Sequence, residues 1–314
     1  MYNIIFPHRA PAHGGVGTFQ RNLENYFNDN NVTFSYKKKL RGRVNVILVM
    51  GGTKSILWLL IMKLRGVKII HRVDGKNWQY KLDNSVLNKF KSYFRQALVS
   101  FIRKYLADKI IYQSCFIRDW WQCSDFTIKE SIVIYNGTPD NTSSRDCKDI
   151  DVICVEGSVN GPVAYSILKK ICKYKVHIFG KYNSDSVSNM SHIFHGPTER
   201  ANILEQLSSS RIFINLETNP PCPNSVIEAL SFGLPVVSIK NGSIAELVGP
   251  AGVLIEQKND PWVFDYPPEL DGIDHIIEKV LQNYDYYSTA ARERYLKKFT
   301  IEKIGKEYLN FIIS

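Results

Sequence analysis

The sequence is poor in cysteine and has no long hydrophobic run. Its six cysteines are scattered, and no two have the CxxC spacing of a zinc or redox pair, so we expect no metal, no disulfide framework and a reducing compartment. The longest apolar run, Ile56–Met62, is far shorter than the roughly 20 residues of a membrane-spanning helix. The first residues lack the basic segment of a signal peptide. These absences predict a cytoplasmic protein that does not span a membrane.

The 314 residues are long enough for two domains, and 44% hydrophobic with 22% charged residues is a globular composition. The net charge of +10 is unevenly distributed. Residues 1–138 contain 22 Lys and Arg against 8 Asp and Glu, whereas the remainder contains 18 against 22. This basic half is either a solvated lysine-rich surface or a surface that attracts a phospholipid, a lipid-linked diphosphate or nucleic acid.

Short apolar runs alternate with helical stretches along the whole chain, which is typical of parallel sheets covered by helices. The polar segment Thr138–Lys148 lacks periodicity and is the candidate linker. We therefore predict an α/β fold with two doubly wound domains. The predicted domains are residues 1–145 and residues 146–294. A C-terminal helix over 295–314 is expected to complete the first domain, and the helical pattern around it extends over Ala290–Ile313.

A glycine cluster, His13-Gly14-Gly15-Val16-Gly17, follows the first predicted strand and opens a helix. Glycines there let the backbone approach a ligand, and the helix start offers free amides, although a purely structural turn explains the pattern equally well. His71 ends another strand, and Asp74 follows it. The alternatives for these two are a reaction-zone pair that contacts substrate, or a hydrogen-bonded structural histidine and a turn-capping aspartate.

The most informative stretch runs from Asn224 to Gly249. Pro223 stops the preceding element, and Asn224 or Ser225 is expected to cap the following helix. The free amides of that helix would face the ligand crevice of an open α/β sheet. Glu228 is expected in the first turn, where it either stabilises the helix dipole or accepts hydrogen bonds from ribose hydroxyls.

This stretch, NSVIEALSFGLPVV followed by GSIAELV and GVLI, resembles the donor-binding half of retaining GT-B glycosyltransferases of family 4. The resemblance implies two Rossmann-like domains that face each other across a cleft. It implies that Glu228 binds the nucleotide ribose and that the amides of Asn224, Ser225 and Val226 bind the donor diphosphate. Gly15 and Gly17 would line the cleft opposite that phosphate, and His71 would lie near the transferred sugar. Apart from the resemblance, the position of Asp74 fits either a residue that orients the acceptor hydroxyl or a turn cap.

The chain departs from the family pattern at two places. Pro220 stands eight residues before Glu228, where the family usually has a sugar-binding glutamate, and Glu217 comes three residues too early to replace it. Residues 157–162 (GSVNGP) contain no Arg or Lys, although the family commonly has a basic pair there. Ser158 from this segment and Lys181, which follows the next strand, are the candidates for donor contacts in its place.

The resulting prediction is a retaining, metal-independent glycosyltransferase without a cofactor, whose donor is a nucleotide-diphosphate sugar. The acceptor would be a hydroxyl of a glycan or of a lipid-linked molecule, in surface polysaccharide or glycoconjugate synthesis. The alternatives are a sugar-nucleotide epimerase on the same fold, or a non-catalytic basic protein that binds membranes or nucleic acid. Nucleic acid is disfavoured because the best-defined motif lies in the acidic half.

Two basic segments bear on membrane contact. The predicted helix Leu87–Lys109 mixes Phe, Tyr and Leu with Lys and Arg, and Lys37–Arg43 forms a second basic cluster. The helix is either a core helix with a solvated basic face or an interfacial helix that docks on anionic lipid. Peripheral contact of the N-terminal domain with an anionic membrane is therefore a further expectation.

Overall fold

The computed structural model describes residues 3–11, 14–36, 46–76, 85–142, 148–159, 162–256 and 272–314. The chain divides into two compact units. The first unit is Met1–Gly137 together with Ile301–Ser314, and the second is Thr138–Thr300. The basic cluster Lys37–Arg43 and His13 lie outside the described residues.

The first unit contains a six-stranded parallel sheet with the order β2-β1-β3-β4-β5-β6. Its strands are β1 (Asn3–Phe6), β2 (Thr33–Tyr36), β3 (Val46–Met50), β4 (Lys68–Val73), β5 (Lys109–Tyr112) and β6 (Glu130–Val133). Strand β2 was not predicted from the sequence. It is a half-exposed edge strand, and its only signal is the alternation of Phe34 and Tyr36 with polar residues.

Helices cover both faces of this sheet, since alternate residues of each central strand enter different clusters. The helices are α1 (Gly15–Asp29), α2 (Ile56–Leu64), α3 (Val86–Phe101), α4 (Cys115–Ser124) and α12 (Ile301–Ile313), and α3 continues into a π-helical turn, Ile102–Leu106. On α1, Phe19, Leu23 and Phe27 recur at helical spacing and pack with α12 against one face. Helix α2 and the π-helical turn pack against the opposite face.

The second unit contains a second six-stranded parallel sheet with the order β12-β11-β10-β7-β8-β9. Its strands are β7 (Ile150–Val159), β8 (Val176–Tyr182), β9 (Ile193–Gly196), β10 (Ser210–Asn215), β11 (Val236–Ile239) and β12 (Gly252–Ile255). Counted from β7, this is the 3-2-1-4-5-6 order of a dinucleotide-binding fold.

The helices of the second unit are α5 (Pro162–Lys170), α6 (Ser184–Val187), α7 (Arg200–Ser208), α8 (Asn224–Ser231), α9 (Ile244–Val248), α10 (Ile273–Gln282) and α11 (Tyr284–Lys298). Helix α10 shows ordinary amphipathic packing. Its buried residues Ile273, Ile277 and Val280 recur at helical spacing and join the core with β7, β8 and β10.

The C-terminal segment differs from the prediction. We expected one helix over Ala290–Ile313, but α11 ends at Lys298 and α12 begins at Ile301. Between them, Thr300 forms a parallel bridge with Thr138, and the Tyr295 hydroxyl donates to the Thr138 carbonyl at 3.0 Å. These bonds attach Thr138 to the second unit, which begins at this residue, whereas the predicted boundary lay at 145/146.

Within the described ranges, no helix has both the length and the apolar character needed to cross a membrane.

Candidate functional site

The second sheet has its topological switch point between β7 and β10. The chain leaves β7 towards β8 on one side, while β10 and β11 lie on the other. Ligands of open α/β sheets bind in the crevice outside the carboxyl ends of the strands at such a point. Helix α8, which follows β10, begins at this edge of the sheet.

The N-terminus of α8 begins directly after Pro223. Pro223 is the N-cap residue, with φ −68° and ψ 122°, and no described side chain forms a capping hydrogen bond there. The expectation that Asn224 or Ser225 caps the helix was therefore wrong, because the helix starts one residue earlier and both residues are inside it. The first-turn amides, which include those of Ser225 and Val226, have no intrahelical partner and lie at the positive end of the helix dipole.

Glu228 lies in the second turn of α8 and not in the first turn, which contains no acidic residue. Its side chain is almost fully buried, with 4% of the residue exposed. Burial raises the pKa of this carboxyl, and the Arg200 guanidinium opposes that shift. A dipole-stabilising role at the helix start does not fit this position, whereas a buried acceptor beside the helix start remains compatible with it.

Arg200 is the partner of Glu228. It is the first residue of α7, and its Nη1 donates to Glu228 Oε1 at 2.5 Å. The Arg200 side chain is 38% exposed, so the pair has one buried and one accessible member. The sequence analysis missed Arg200, because the pairing joins two helices separated by strand β10. The only sequence signal is a basic residue that opens a helix soon after the Gly196-Pro197 turn.

The Pro220 loop is fixed by the neighbouring loop after β11. Both the amide and the hydroxyl of Ser243 donate to the Pro220 carbonyl at 3.0 Å, and the Asn219 amide donates to Asn241 Oδ1 at 3.1 Å. Asn219 has a positive φ of 51°. Pro220 is buried in this arrangement. The position at which the resemblance implies a glutamate is thus part of a packed backbone turn.

A carboxyl group forms a hydrogen bond between the two strands that flank the switch point. Glu156 of β7 accepts a hydrogen bond from the Leu216 amide, which follows β10, at 2.6 Å. Burial raises the pKa of Glu156 to about 8, and the nearby charge of Glu217 adds to the shift. The sequence analysis did not single out Glu156. Its position suits a carboxyl that is protonated at neutral pH and holds the two central strand ends together.

Ser158 and Lys181 lie side by side at the ends of neighbouring strands. They are register partners of β7 and β8, beyond an irregularity in the ladder that starts at Val155, and both are exposed. The two residues named in place of the missing basic pair are therefore brought together. Gly180 permits the irregularity, because an added Cβ would lie 1.9 Å from the Glu156 carbonyl oxygen.

The first sheet has its switch point between β1 and β3, and the glycine cluster lies there. Gly15 opens α1 after Gly14, whose φ is 92°. Gly17 is buried, and an added Cβ would lie 2.1 Å from the Pro11 carbonyl oxygen. The close approach of the Pro11 backbone therefore requires a glycine at residue 17.

His71 is fully buried inside β4 and does not end it. Its Nε2 lies 2.8 Å from the Gly51 carbonyl oxygen. Burial lowers its pKa to about 4, and the charges of Arg103 and Arg72 add to the shift. The ring is therefore neutral, and Nε2 is the nitrogen that donates to Gly51. This geometry supports a positioning role for His71 within the first unit.

Asp74 follows β4 and forms an ion pair with the buried Arg72. Arg72 Nη2 also donates to Gln113 Oε1 and Asn136 Oδ1, each at 2.7 Å. The Asp74 carbonyl accepts from Trp121 Nε1 at 2.9 Å. Burial raises the pKa of Asp74, which Arg72 opposes. Arg72 therefore holds the Asp74 side chain and Trp121 its backbone, while the side chain remains about a quarter exposed, at 27%.

Among the described residues, no three His, Cys, Asp or Glu side chains are grouped so that they could hold a metal ion. The expectation of a metal-independent reaction stays a prediction.

The fold is that of the GT-B glycosyltransferases. Sucrose-phosphate synthase from Thermosynechococcus elongatus superposes with a TM-score of 0.76 at 14% identity, covering 99% of this chain and 98% of that chain. HepE from Anabaena, in complex with UDP and glucose, gives 0.74 at 12% identity over 100% of both chains. A glycosyltransferase from Rickettsia africae gives 0.68 at 13% identity, covering 99% of this chain and 97% of that one.

In a comparison of sequences, one segment of the chain matches a family model. Residues 163–264 match the family model described as glycosyl transferases group 1. A search of curated proteins finds no match. The matched segment begins in α5 and contains α7, α8 and the strands from β8 to β12. It therefore includes Arg200, the Pro220 loop and Glu228. The resemblance to GT-B glycosyltransferases is confirmed for this part of the chain, whereas family 4 and retention stay predictions.

Proposed function

We propose that the protein is a glycosyltransferase that moves a sugar from a nucleotide-diphosphate sugar to an acceptor hydroxyl. The observation that carries the proposal is the buried Glu228 beside the uncapped start of α8, at the switch point of a sheet whose segment 163–264 matches glycosyl transferases group 1. Such a site offers amide donors for phosphate and a carboxylate acceptor for hydroxyl groups at a fixed distance from one another.

In this proposal Glu228 accepts hydrogen bonds from the ribose hydroxyls. A carboxyl group accepts most strongly from two hydroxyls when it is ionised, and burial acts against ionisation. Arg200 opposes the effect of burial through its bond to Oε1 and so favours the charged carboxylate. We therefore assign Arg200 as a positioning residue that acts through Glu228.

The donor diphosphate would be bound by the amides of Asn224, Ser225 and Val226. Ser158 and Lys181 are the proposed side-chain contacts, since they are adjacent and exposed at the ends of β7 and β8. The departure of a nucleoside diphosphate places negative charge on phosphate oxygens. Fixed amides and one cation stabilise that charge in the transition state more than in the bound donor.

The donor base is proposed to be uracil. Structures of Anabaena HepE contain UDP and UDP-glucose, and they share the fold of this chain over nearly its full length. The acceptor is proposed to be a glycan or a lipid-linked molecule. We assign Gly15, Gly17 and Asp74 of the first unit to substrate contacts, with His71 supporting the Gly51 backbone, and we propose retention of anomeric configuration.

Calorimetric titration with UDP, GDP and ADP tests the donor site. We expect UDP to bind, and Glu228→Ala to weaken its binding at least about tenfold, because hydrogen bonds to a charged group contribute about 1.5–3 kcal/mol each. Glu293→Ala on the exposed side of α11 is the matched control and should bind like the parent. No binding of any nucleotide, or unchanged binding by Glu228→Ala, would contradict the proposal.

Analysis of the sugar product separates transfer from epimerisation. Incubation with UDP-glucose should release UDP when an acceptor is present and leave the unused donor unchanged. Conversion of the donor into another UDP-sugar without release of UDP would instead identify an epimerase.

A further inference from the structure

Helix α3 presents its aromatic residues to solvent. Four aromatic side chains lie along one stripe of α3 and the π-helical turn, and their exposed fractions are Phe90 68%, Phe94 56%, Phe101 37% and Tyr105 64%. Their spacings of four, seven and four residues keep them on one side of the helix. The neighbouring Leu87 and Tyr93 are also exposed, at 70% and 68%.

Most of α3 is exposed, and the buried residues of the segment include polar side chains besides Ile102 and Leu106 of the π-helical turn. Ser92 is the buried residue of α3, and Arg103 is the fully buried member of the same face in the π-helical turn. The interpretation of this segment as a core helix with a solvated basic face is therefore wrong for its aromatic residues. They are not among the buried core residues, and each keeps at least 37% of its surface exposed within the described part of the chain.

Helix α2 extends the exposed apolar area. Its residues Leu59 and Met62 pack with Ile102 and Leu106 of the π-helical turn on one face of the first sheet. Lys63 Nζ donates to the Leu106 carbonyl at 2.7 Å and fixes the two elements side by side. Four further large side chains of α2 lie on its exposed side: Leu57, Leu60, Ile61 and Leu64.

The charged residues within these elements have one sign, and the acidic residues that contact them, Asp108 and Asp125, are ion-paired with Lys63 and with Arg103 and Lys104. Neither α2 nor α3 nor the π-helical turn contains an Asp or Glu. Lys89, Lys91 and Arg95 are exposed along α3 beside the aromatic stripe, and Arg65 follows α2. Lysine and arginine stems can lie along an apolar surface while their charged heads reach a polar layer.

We propose that this aromatic–basic surface, formed by the exposed residues of α2, α3 and the π-helical turn, docks on an anionic phospholipid bilayer. Aromatic and leucine side chains would enter the interfacial region, and the cations would contact lipid phosphates. A symmetric contact with a second copy would bring Lys89, Lys91 and Arg95 against their equivalents, and like charges across an interface are unfavourable. The anionic bilayer complements both the apolar and the cationic groups.

Co-sedimentation with vesicles tests this docking surface independently of donor binding. One set of vesicles is phosphatidylcholine alone, and the other is equal parts phosphatidylcholine and phosphatidylglycerol. We expect the protein to partition at least about tenfold more strongly to the anionic vesicles, with binding that falls as salt is raised.

Two variants separate the apolar and the cationic contributions. Phe90→Ser with Phe94→Ser should lower partitioning about tenfold, and Lys89→Gln with Lys91→Gln should remove most of the preference for anionic vesicles. Tyr286→Ser on α11 of the second unit is the matched control, since Tyr286 is 65% exposed, and it should bind like the parent. Thermal unfolding of each variant checks that it is folded.

Equal partitioning to both vesicle types, or partitioning that the two α3 variants leave unchanged, would overturn the proposal. Concentration-dependent dimerisation that Phe90→Ser with Phe94→Ser abolishes would also overturn it and would assign the surface to a second copy.

Discussion

The two units share one design and differ in the charge that each buries beside its strand ends. Both contain six parallel strands with a switch point inside the sheet. The first unit buries a cation, Arg72, which Asp74, Gln113 and Asn136 neutralise or hydrogen-bond. The second unit buries the carboxyl group of Glu228, which is paired with an arginine whose side chain is 38% exposed. The two units therefore share a sheet design but differ in which ionisable side chain is buried and in what pairs with it.

The two units also differ in which side chains their outer helices bury. Helix α10 of the second unit buries its apolar residues Ile273, Ile277 and Val280. Helix α3 of the first unit does the reverse and exposes Phe90 and Phe94. An exposed apolar patch of this kind usually marks an interaction surface. The acidic second unit therefore carries the donor chemistry that we propose, and the basic first unit carries the surface.

Removal of the buried cation of the first unit should have the largest effect. Arg72→Ala leaves Gln113, Asn136 and Asp74 without their shared donor, and we expect a loss of about 3 kcal/mol in the free energy of unfolding. Urea denaturation measures it. Arg95→Ala, at an exposed site of α3, is the control and should change stability by less than about 0.5 kcal/mol. A loss below about 1 kcal/mol for Arg72→Ala would show that the network is not structural.

The arginine of the second unit should matter for binding more than for stability. Arg200→Gln removes the cation that favours ionised Glu228, so we expect UDP affinity at pH 7 to fall about tenfold, or about 1.4 kcal/mol. Raising the pH should restore part of the affinity, because the Glu228 carboxyl then ionises in the absence of the arginine. Arg200→Lys should rescue most of the loss.

Arg211→Gln is the matched control for Arg200. Arg211 is similarly exposed, at 36%, and pairs with Asp151 at 3.3 Å. Asp151 lies near the start of β7, whereas the proposed donor site is at the carboxyl end of the strands. Its loss should leave UDP affinity unchanged. A pH-independent loss in Arg200→Gln would mean that Arg200 contacts the nucleotide directly and does not act through Glu228.

The smallest expected effect concerns Glu156 and the pH dependence of stability. Its pKa is about 8 in the folded protein against an ordinary 4.5, so the folded state holds a proton that the unfolded state releases. This contribution to stability is complete below pH 4.5 and is lost as the pH rises towards 8. Glu156→Gln should remove that loss and be more stable than the parent at pH 8.5 by on the order of 1 kcal/mol, because solvent screens part of the effect.

Thermal unfolding at pH 5 and pH 8.5 measures this difference. Glu293→Gln, on the exposed side of α11, should follow the parent at both pH values. A Glu156→Gln variant with the same pH dependence as the parent would contradict the raised pKa.

The sequence predicted the α/β class, the two parallel sheets and the position of α8, because buried strands and amphipathic helices leave periodic local patterns. It failed at β2, an edge strand with a single alternating pair, and at the break between α11 and α12, which depends on the bridge between Thr138 and Thr300. It also placed Glu228 in the first turn of α8, whereas the residue lies in the second turn, because the position of the first turn depends on which residue is the N-cap.

The partners of the site residues could not be predicted. Arg200 meets Glu228, and Glu156 meets the Leu216 amide, only after distant segments pack together. The exposure of Phe90 was left open between a core helix and an interfacial helix, because aromatic residues at helical spacing fit either one unless the neighbouring helices are known. The resemblance could indicate which residues matter, whereas their charge states and partners follow from tertiary structure.

The most direct test of the donor site is an amide NMR titration of the isotopically labelled protein with UDP. We predict that the amide signals of Ser225 and Val226 shift most, in proportion to occupancy, because their N–H groups would bind the diphosphate. Glu228→Ala should need a higher UDP concentration to produce the same shifts. Shifts confined to the glycine turn at Gly15 and Gly17, or no shift at α8 when UDP is saturating, would contradict the central claim.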